Sequence, residues 1–395
     1  MQAVVVDTPY HFVPPHEGRL WPALLQRLTP WYLQKCHGVC SVECQGAERI
    51  ANSLGLGHGV LVTPNHCRPC DPMTLGVLAR AVRRPFYTMA SRHLFEGNRL
   101  QTWLLRRAGA FSVYREGMDR EALKTAIEIL KRAERPLVLF PEGVITRTND
   151  RLNNLMDGTA FIARSAAKQL VAARPQGKVV VHPVAIRYRF QGDIEAALAP
   201  VLREIETRLT WSPKDLGLIE RIYRVGGALL CLKEIEYFGE PQSGGIAKRL
   251  EKLTNGLLEP LEKEWLKSVS TGAVVSRVKK LRAAIMPDLI LGELTEAERA
   301  RRWRHLADLY LAQQLSFYPP DYVGSRPTPE RLLETVERFE EDLTDRTRVH
   351  RPIHATIRVG EALEVSPSRE KGGADPLMEE IRSQLEALLT EGQPP

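Results

Sequence analysis

Short apolar runs alternate with amphipathic segments throughout residues 38–190 of this chain. Apolar runs bounded by turn residues are typical of buried strands, and apolar residues at three- and four-residue steps are typical of helices. This alternation predicts an α/β domain, a mixed β-sheet flanked by helices. The predicted strands lie near 38–45, 59–64, 85–89, 110–113, 136–140 and 178–189, and the predicted helices near 72–83, 98–107, 119–133 and 158–170.

The turn after the second predicted strand carries a histidine and, five residues later, an aspartate. An imidazole of ordinary pKa accepts a proton from a hydroxyl at neutral pH, and a carboxylate on its other ring nitrogen fixes the tautomer. His66 is therefore a candidate general base, with Asp71 as the residue that orients it. No serine or cysteine nucleophile is obviously paired with His66, so the attacking hydroxyl is expected to come from the substrate.

Asp71 also has a purely structural interpretation. Asp71-Pro72 followed by an apolar run is typical of a helix start, with Asp71 as N-cap and Pro72 at the first helical position. Capping alone would account for the aspartate, and so short a motif also occurs by accident.

Two further strand ends carry residues suited to anions. The fourth predicted strand leads from Gly109 to Arg115, and the fifth ends in the turn Phe140–Gly143, with Arg147 four residues later. A guanidinium suits bidentate recognition of phosphate, and backbone amides around a glycine help to cradle an anion. The alternatives are arginines on the surface and a carboxylate that serves only its turn.

Together these segments resemble the glycerol-3-phosphate and 1-acylglycerol-3-phosphate acyltransferase superfamily. Its members carry four ordered blocks: Asn-His-x4-Asp, Gly-x5-Arg, Phe-Pro-Glu-Gly and a Val-Pro-Val strand. Four blocks in one order within roughly 130 residues are far more specific than any single block. Here they correspond to Asn65, His66 and Asp71; to Gly109 and Arg115; to Phe140, Pro141, Glu142 and Gly143; and to the strand Val181–Ile186 with Pro183 at its centre.

The resemblance implies transfer of an acyl group from acyl-CoA or acyl-carrier protein to the hydroxyl of a lysophospholipid, such as 1-acylglycerol-3-phosphate, or of a glycerol phosphate. His66 would act as general base, oriented by Asp71. No metal and no redox cofactor is implied. Substrate-binding roles are expected for Asn65, Gly109, Arg115, Phe140, Pro141, Glu142, Gly143 and Arg147.

The blocks also depart from the family's pattern. Relatives commonly continue Thr-Arg-Ser after the glycine of the third block, whereas Val144 and Ile145 stand here. Ile145 cannot make the phosphate contact of an arginine, and Arg147 is the candidate substitute. In the second block, Ser112 replaces the usual aromatic residue and Tyr114 a frequent acidic one. These departures leave the acceptor's head group open and give a second hypothesis, a catalytically weak membrane- or lipid-binding protein with the same fold.

Beyond Arg189 the pattern becomes almost uninterrupted helix. Ser212-Pro213 predicts the start of a helix that ends before Gly239, and further helices are predicted near 243–269, 271–285, 296–316 and 329–344. A strand and turn near 353–363 and a helix near 376–390 follow. The predicted regions are an N-terminal amphipathic helical segment (1–37), an acyltransferase α/β core (38–190), a helical insertion or subdomain (191–349) and a final strand and helix that complete the core (350–395).

The charge balance favours an anionic partner. The formal net charge is +7 and the isoelectric point is near 9.1. Nucleic acid, an anionic membrane surface and a phosphorylated substrate are all compatible with it. Because no RNA- or DNA-recognition motif is present, we expect no nucleic-acid partner.

Leu, Trp and basic residues recur at helical spacing near the N-terminus. Trp21 and Trp31 lie in a predicted pair of amphipathic helices interrupted at Pro30. A helix packed on the core and an interfacial helix on an anionic bilayer are the two interpretations. Because the sequence has no spanning apolar run and no signal peptide, we expect a cytoplasmic protein, peripheral on the inner face of the membrane.

Overall fold

The computed structural model describes residues 7–174, 176–212, 215–368 and 375–391. The chain divides into two compact units. What we call the sheet unit comprises His11–Tyr114, Met118–Gln191 and the described residues from Val349 onward; what we call the helical unit comprises Gly192–Arg348, Arg115–Gly117 and the described residues before His11.

One mixed β-sheet forms the centre of the sheet unit. Its described strands are β1 (Val39–Gln45), β2 (Gly59–Pro64), β3 (Tyr87–Ser91), β4 (Ala110–Val113), β5 (Leu137–Val138), β6 (Val179–Phe190), β7 (Ile353–Val359) and β8 (Leu363–Glu364). The order across the sheet is β1-β7-β6-β2-β5-β3-β4, and β8 pairs with β6. The strands from β6 to β4 run parallel to one another, whereas β7 and β8 run antiparallel to β6. The predicted mixed α/β sheet is confirmed.

The described residues form thirteen α-helices. They are α1 (Leu20–His37), α2 (Ala47–Gly55), α3 (Asp71–Ala81), α4 (Arg99–Ala108), α5 (Arg120–Arg132), α6 (Gly158–Ala173), α7 (Ile194–Arg208), α8 (Leu218–Phe238), α9 (Ile246–Leu266), α10 (Val274–Leu291), α11 (Glu296–Leu315), α12 (Pro329–Thr344) and α13 (Pro376–Thr390). The helices α7–α12 belong to the helical unit, which agrees with the predicted helical insertion.

Helices cover both faces of the sheet. Alternate strand residues such as Leu61 and Val181 share one apolar core with α5, α6 and α13. Successive strand side chains point to opposite faces, so His182 and Tyr188 of β6 face the other way. His182 Nε2 lies 2.9 Å from the hydroxyl of Ser53 in α2, and Tyr188 Oη lies 3.0 Å from Thr74 Oγ1 in α3.

Several helix predictions need correction. The N-terminal segment is one helix, α1, with Pro30 inside it, and not a pair. Packing explains this, because Leu33, beyond the proline, is fully buried and holds the last turns in place despite the missing hydrogen bond. Helix α7 was not predicted; Asp193 caps it by accepting from the amides of Glu195 and Ala196.

The helix start predicted at Ser212-Pro213 is also wrong at Ser212, the residue of the pair that the structure describes. Ser212 is outside any helix, and α8 begins at Leu218 after Gly217. Pro213 lies outside the described residues. Strand β5 is shorter than predicted because the chain leaves the sheet after Val138 to form the turn that begins at Phe140.

The helical unit has its own core. Leucine and isoleucine side chains of α9, α10 and α11 form it, with Leu253, Leu281 and Leu309 fully buried. Two buried glutamates each receive two nitrogens of one arginine: Glu262 from Arg277 and Glu234 from Arg249. Among the described residues of the whole chain, no helix is both long and apolar enough to cross a bilayer.

Candidate active site around His66

His66 lies in the loop that follows β2, at the edge of the sheet where the parallel strands end. Its Nδ1 is 2.8 Å from Oδ2 of Asp71, and its ring stacks on Phe140 with centroids 4.0 Å apart. The Asp71 side chain is fully buried, whereas 15% of the His66 side chain is exposed. A carboxylate at Nδ1 accepts the Nδ1 proton, which leaves Nε2 as the nitrogen that accepts a proton from another molecule.

The carboxylate of Asp71 is surrounded by donors. Oδ2 also accepts the backbone N–H of Arg68 at 2.9 Å, and Oδ1 accepts the hydroxyl of Tyr188 at 2.7 Å. The predicted N-cap role is wrong, because Cys70 is the N-cap residue and no side chain caps this helix end. Asp71 is instead the first residue of α3, and its oxygens turn back toward the loop and β6, where the stronger set of donors lies.

Tyr188 of β6 is a part of the site that sequence reasoning missed. Burial first, and the nearby Asp71 second, raise the pKa of Tyr188 well above its ordinary value. The phenol therefore stays protonated and donates to the carboxylate. The only signal in the sequence is a tyrosine two residues beyond the fourth block, in the same strand.

Glu142 holds the backbone of the histidine turn. Its Oε1 accepts the N–H of His66 at 2.7 Å, and its Oε2 accepts the N–H of Asn153 at 2.9 Å. The backbone carbonyl of His66 accepts the N–H of Thr146 at 2.8 Å. The peptide groups on both sides of the histidine are thus fixed by the loop that follows β5.

Burial raises the pKa of Glu142 to about 7, against the effect of its two backbone donors. An ionised carboxylate accepts at both oxygens, whereas the protonated acid keeps one oxygen as a donor. Ionised Glu142 is therefore the form that fits the two N–H groups, at the cost of a buried charge.

Two asparagines extend the pairing of β6 beyond the end of β2. Oδ1 of Asn65 accepts the N–H of Ile186 at 2.7 Å, and its Nδ2 donates to the carbonyl of the same residue at 3.0 Å. Asn149 bonds the N–H and carbonyl of Tyr188 in the same way, at 2.6 and 2.7 Å. The structure therefore places Asn65, predicted to bind substrate, on the backbone of β6.

The glycines of the second and third blocks have backbone roles. Gly109 ends α4 at φ +101°, and a Cβ there would lie 2.6 Å from the carbonyl oxygen of Phe86. Gly143 has φ +69°, and a Cβ there would collide with the sulfur of Met156. Both positions therefore require glycine for the chain to follow this path.

The two candidate arginines lie in different parts of the fold. Arg147 follows Thr146 in the loop that fixes His66 and has φ +58°, unusual for a residue with a side chain. Arg115 belongs to the helical unit. The predicted residues that the structure brings together around His66 are Asn65, Asp71, Phe140 and Glu142.

The two cysteines between His66 and Asp71, Cys67 and Cys70, are buried. Sγ of Cys70 lies 3.5 Å from the Tyr188 hydroxyl, and burial raises the pKa of Cys70 to about 11. At neutral pH this residue is therefore a thiol and not a thiolate. No cluster of three metal-binding side chains occurs within the part of the chain that the structure describes.

Comparison with known proteins identifies relatives of this site. Residues 41–187 match a family model described as Acyltransferase. Over 130 residues the chain is 30% identical to a 1-acyl-sn-glycerol-3-phosphate acyltransferase of Streptococcus pneumoniae (strain ATCC BAA-255 / R6). The matched stretch is 33% of this chain and 46% of that protein, so the chain spans about half the length of the curated relative it matches. Residues 192–348 lie outside the family match.

Proposed function

Residues 41–187 carry an acyltransferase domain of the glycerolipid acyltransferase superfamily, and on this premise we propose that the chain transfers an acyl group from a thioester to a glycerolipid hydroxyl. The observation that carries the proposal is the hydrogen bond from His66 Nδ1 to the buried carboxylate of Asp71. It leaves Nε2 as a general base in a turn whose backbone is held on both sides.

The proposed reaction needs no acyl-enzyme. Nε2 of His66 takes the proton of the acceptor hydroxyl as that oxygen attacks the thioester carbonyl of acyl-CoA or acyl-carrier protein. The tetrahedral intermediate then collapses, the C–S bond breaks, and the leaving thiolate receives the proton from the imidazolium. Asp71 stabilises the imidazolium between the two steps, and Tyr188 and the Arg68 amide hold Asp71 in place.

We propose a lysophospholipid or a glycerol phosphate as the acceptor. The relative named above acts on 1-acyl-sn-glycerol-3-phosphate by its name, and the net charge of +7 favours a phosphorylated substrate. The candidate ligand of the acceptor's phosphate in the sheet unit is Arg147, and Arg115 remains a candidate from the sequence alone. The isoleucine at position 145 makes the head group the least determined part of the substrate.

An anionic membrane surface is the proposed partner of α1 and α4. Exposed apolar side chains on these helices form what we call the aromatic face. Trp21 and Trp103 stack edge to face at 4.9 Å, and the guanidinium of Arg107 lies over both rings. The exposed members are Leu20, Trp21, Leu24, Leu28, Trp31, Tyr32, Leu100, Trp103 and Leu104. Trp, Leu and Arg together are the composition of a helix face that rests on anionic lipid; by this proposal the surface is the inner face of the membrane.

The test of the reaction is an assay with labelled acyl-CoA or acyl-carrier protein and a panel of lysophospholipids and glycerol 3-phosphate. We expect His66→Ala to lower the turnover number by about 10²–10⁴-fold, the usual contribution of a general base. His354→Ala, at a half-buried histidine of β7, is the matched control and should keep full activity. If no acceptor gives a product that depends on His66, the chain is instead a catalytically weak lipid-binding protein.

The membrane partner is tested separately by vesicle flotation. Leu28→Ser and Trp31→Ser, two of the most exposed positions of the aromatic face, should reduce recovery with phosphatidylglycerol vesicles. Leu56→Ser, at a more exposed leucine outside that face, should not. Equal recovery of all variants would remove the membrane surface from the proposal.

A further inference from the structure

Helix α10 of the helical unit buries an arginine without giving it a hydrogen bond. Arg282 is 5% exposed, and its Nε and Nη2 have no hydrogen-bond partner among the residues that the structure describes. A buried guanidinium normally has its N–H groups paired, because desolvating them otherwise costs free energy. Their burial calls for a partner, and none is found among the residues that the structure describes.

The unpaired edge of Arg282 is the one that binds anions elsewhere in the same unit. Nε and Nη2 donate in parallel on one side of the guanidinium. Arg277, on the same helix, places these two nitrogens 2.8 and 2.9 Å from the two oxygens of Glu262. Arg249 uses the same pair of nitrogens on Glu234, at 2.8 and 2.7 Å. The edge of Arg282 thus lacks the two-oxygen anion that Arg277 and Arg249 have.

One cation shares the helix face of Arg282, and another acts on it electrostatically. Lys279 lies three residues earlier on α10, hence on the same face of the helix, and is exposed to solvent. Partial burial first, and Arg115 second, lower the pKa of Lys279; burial first, and Arg115 second, lower the pKa of Arg282 to about 10. Glu116 opposes this effect on each of them. Three cations and one carboxylate leave an excess of about two positive charges.

We propose that Arg282, Lys279 and Arg115 form a binding site for a phosphomonoester dianion within the helical unit. The charge of a phosphomonoester, about −1.5 to −2 at neutral pH, matches the excess. Its oxygens can accept both donors on the edge of Arg282 while the ammonium of Lys279 acts as a point charge. The site would give the helical unit, which lies outside the family match, a ligand of its own.

Three sources of this group are distinguishable: inorganic phosphate, the phosphate of an acyl acceptor and the 3′-phosphate of CoA. The assignment to the acceptor rests on the proposed function, whereas anion binding itself does not. Isothermal titration of the full-length chain without acyl donor should use inorganic phosphate, glycerol 3-phosphate and adenosine 3′,5′-bisphosphate. If glycerol 3-phosphate binds most tightly, the site holds the phosphate of the acceptor. If adenosine 3′,5′-bisphosphate binds most tightly, it holds the 3′-phosphate of CoA. Equal binding of all three indicates a site for free phosphate.

Substitutions at three basic residues of α10 distinguish binding at this site from attraction by the overall positive charge. Arg282→Met should weaken binding by about 10–100-fold, the value of losing charged hydrogen bonds. Arg282→Lys keeps the charge without the paired edge and should also weaken binding, about tenfold. Lys279→Gln should weaken it several-fold, whereas Lys280→Gln, at a position that is also exposed to solvent but on another face of the helix, should not.

Unfolding temperatures supply a second readout. Without ligand, Arg282→Met should melt higher than the unsubstituted chain, because it removes a buried unpaired charge, and phosphate should no longer raise its melting temperature. Either absence of binding by the unsubstituted chain or unchanged binding by Arg282→Met would overturn the proposal. Binding without acyl transfer would sink only the proposed function, and transfer without binding only this inference.

Discussion

The turn around His66 and the site around Arg282 each contain a buried charge, but the two charges differ in their hydrogen-bond partners. Asp71 has donors on both oxygens, and these donors come from the protein itself. Arg282 has two buried nitrogens without a protein acceptor among the described residues. The His66 turn therefore has its supporting groups in place, whereas by our proposal a bound anion completes the site at Arg282.

The difference separates two tasks. A general base must sit within a few tenths of an ångström of its working position, so its supporting groups have to be in place beforehand. A binding site for a charged group gains affinity when its own charges lack partners in the free protein, because the ligand then relieves an existing cost. Substitutions that change pairing should therefore have opposite effects on stability in the two regions.

The largest effect is expected at Asp71. In Asp71→Asn the side-chain amide can present an N–H to the histidine, which favours the wrong tautomer, so the turnover number should fall by about 10³-fold while the Michaelis constant changes little. Steady-state kinetics with the best acceptor of the panel measures this. Asp157→Asn, at an exposed aspartate of the sheet unit, is the control. Activity of Asp71→Asn within threefold of the unsubstituted chain would mean that the hydrogen bond to His66 does not orient a base.

Two arginines of α10 give the sharpest comparison of stability. Arg277→Met leaves Glu262, which is fully buried, without its cation and should destabilise the chain by about 3–5 kcal/mol. Arg282→Met should instead stabilise it, on the order of 1 kcal/mol, because no carboxylate loses a partner. Urea unfolding in phosphate-free buffer measures both changes. If both substitutions destabilise to the same extent, Arg282 is not an unpaired buried charge.

Titration of Glu142 should make the free energy of unfolding depend on pH. In the unfolded chain its carboxyl titrates near 4.5, and in the folded chain near 7. Above pH 4.5 the unfolded chain loses this proton first, so the group lowers the free energy of unfolding as pH rises to about 7. Each pKa unit is worth about 1.36 kcal/mol, so the full loss is about 3 kcal/mol.

Glu142→Gln removes this titration. Its free energy of unfolding should therefore fall less between pH 5 and pH 7.5 than that of the unsubstituted chain, as measured by urea unfolding at both pH values. Glu361→Gln, at an exposed glutamate, should leave the pH dependence unchanged. Parallel curves for Glu142→Gln and the unsubstituted chain would mean that Glu142 is not held as a buried charge.

The sequence predicts what depends on neighbours along the chain. His66 and Asp71 share one loop, five residues apart, so their pairing follows from the local motif. The parallel strands follow from the apolar runs, since short aliphatic segments between helices have few other solutions. The capping role of Asp71 was wrong because a one-residue shift of the helix start, together with donors from Tyr188 and Arg68, decides where a carboxylate points.

Partners from distant parts of the chain were not predictable. Tyr188 and Asn149 reach the His66 site only through the order of strands in the sheet, which no local pattern records. Arg282 lies in a stretch with other basic residues, and nothing in the sequence distinguishes a buried arginine from a solvated one. Its unpaired edge appears only when burial and the positions of acceptors are known.

Tyr188→Phe has the smallest expected effect on turnover and tests how completely Asp71 must be paired. It removes the donor at Oδ1 and leaves the histidine and the Arg68 amide at Oδ2. Loss of one buried hydrogen bond to a charged group should destabilise the chain by about 1.5–3 kcal/mol. Since Tyr188 acts through Asp71, the turnover number should fall about three- to tenfold with an unchanged Michaelis constant. Tyr223→Phe, at an exposed tyrosine of the helical unit, should do neither. If Tyr188→Phe lowers stability without lowering turnover, the donors at Oδ2 are enough to orient His66. The hydrogen bond from Tyr188 to Oδ1 then contributes to stability and not to catalysis.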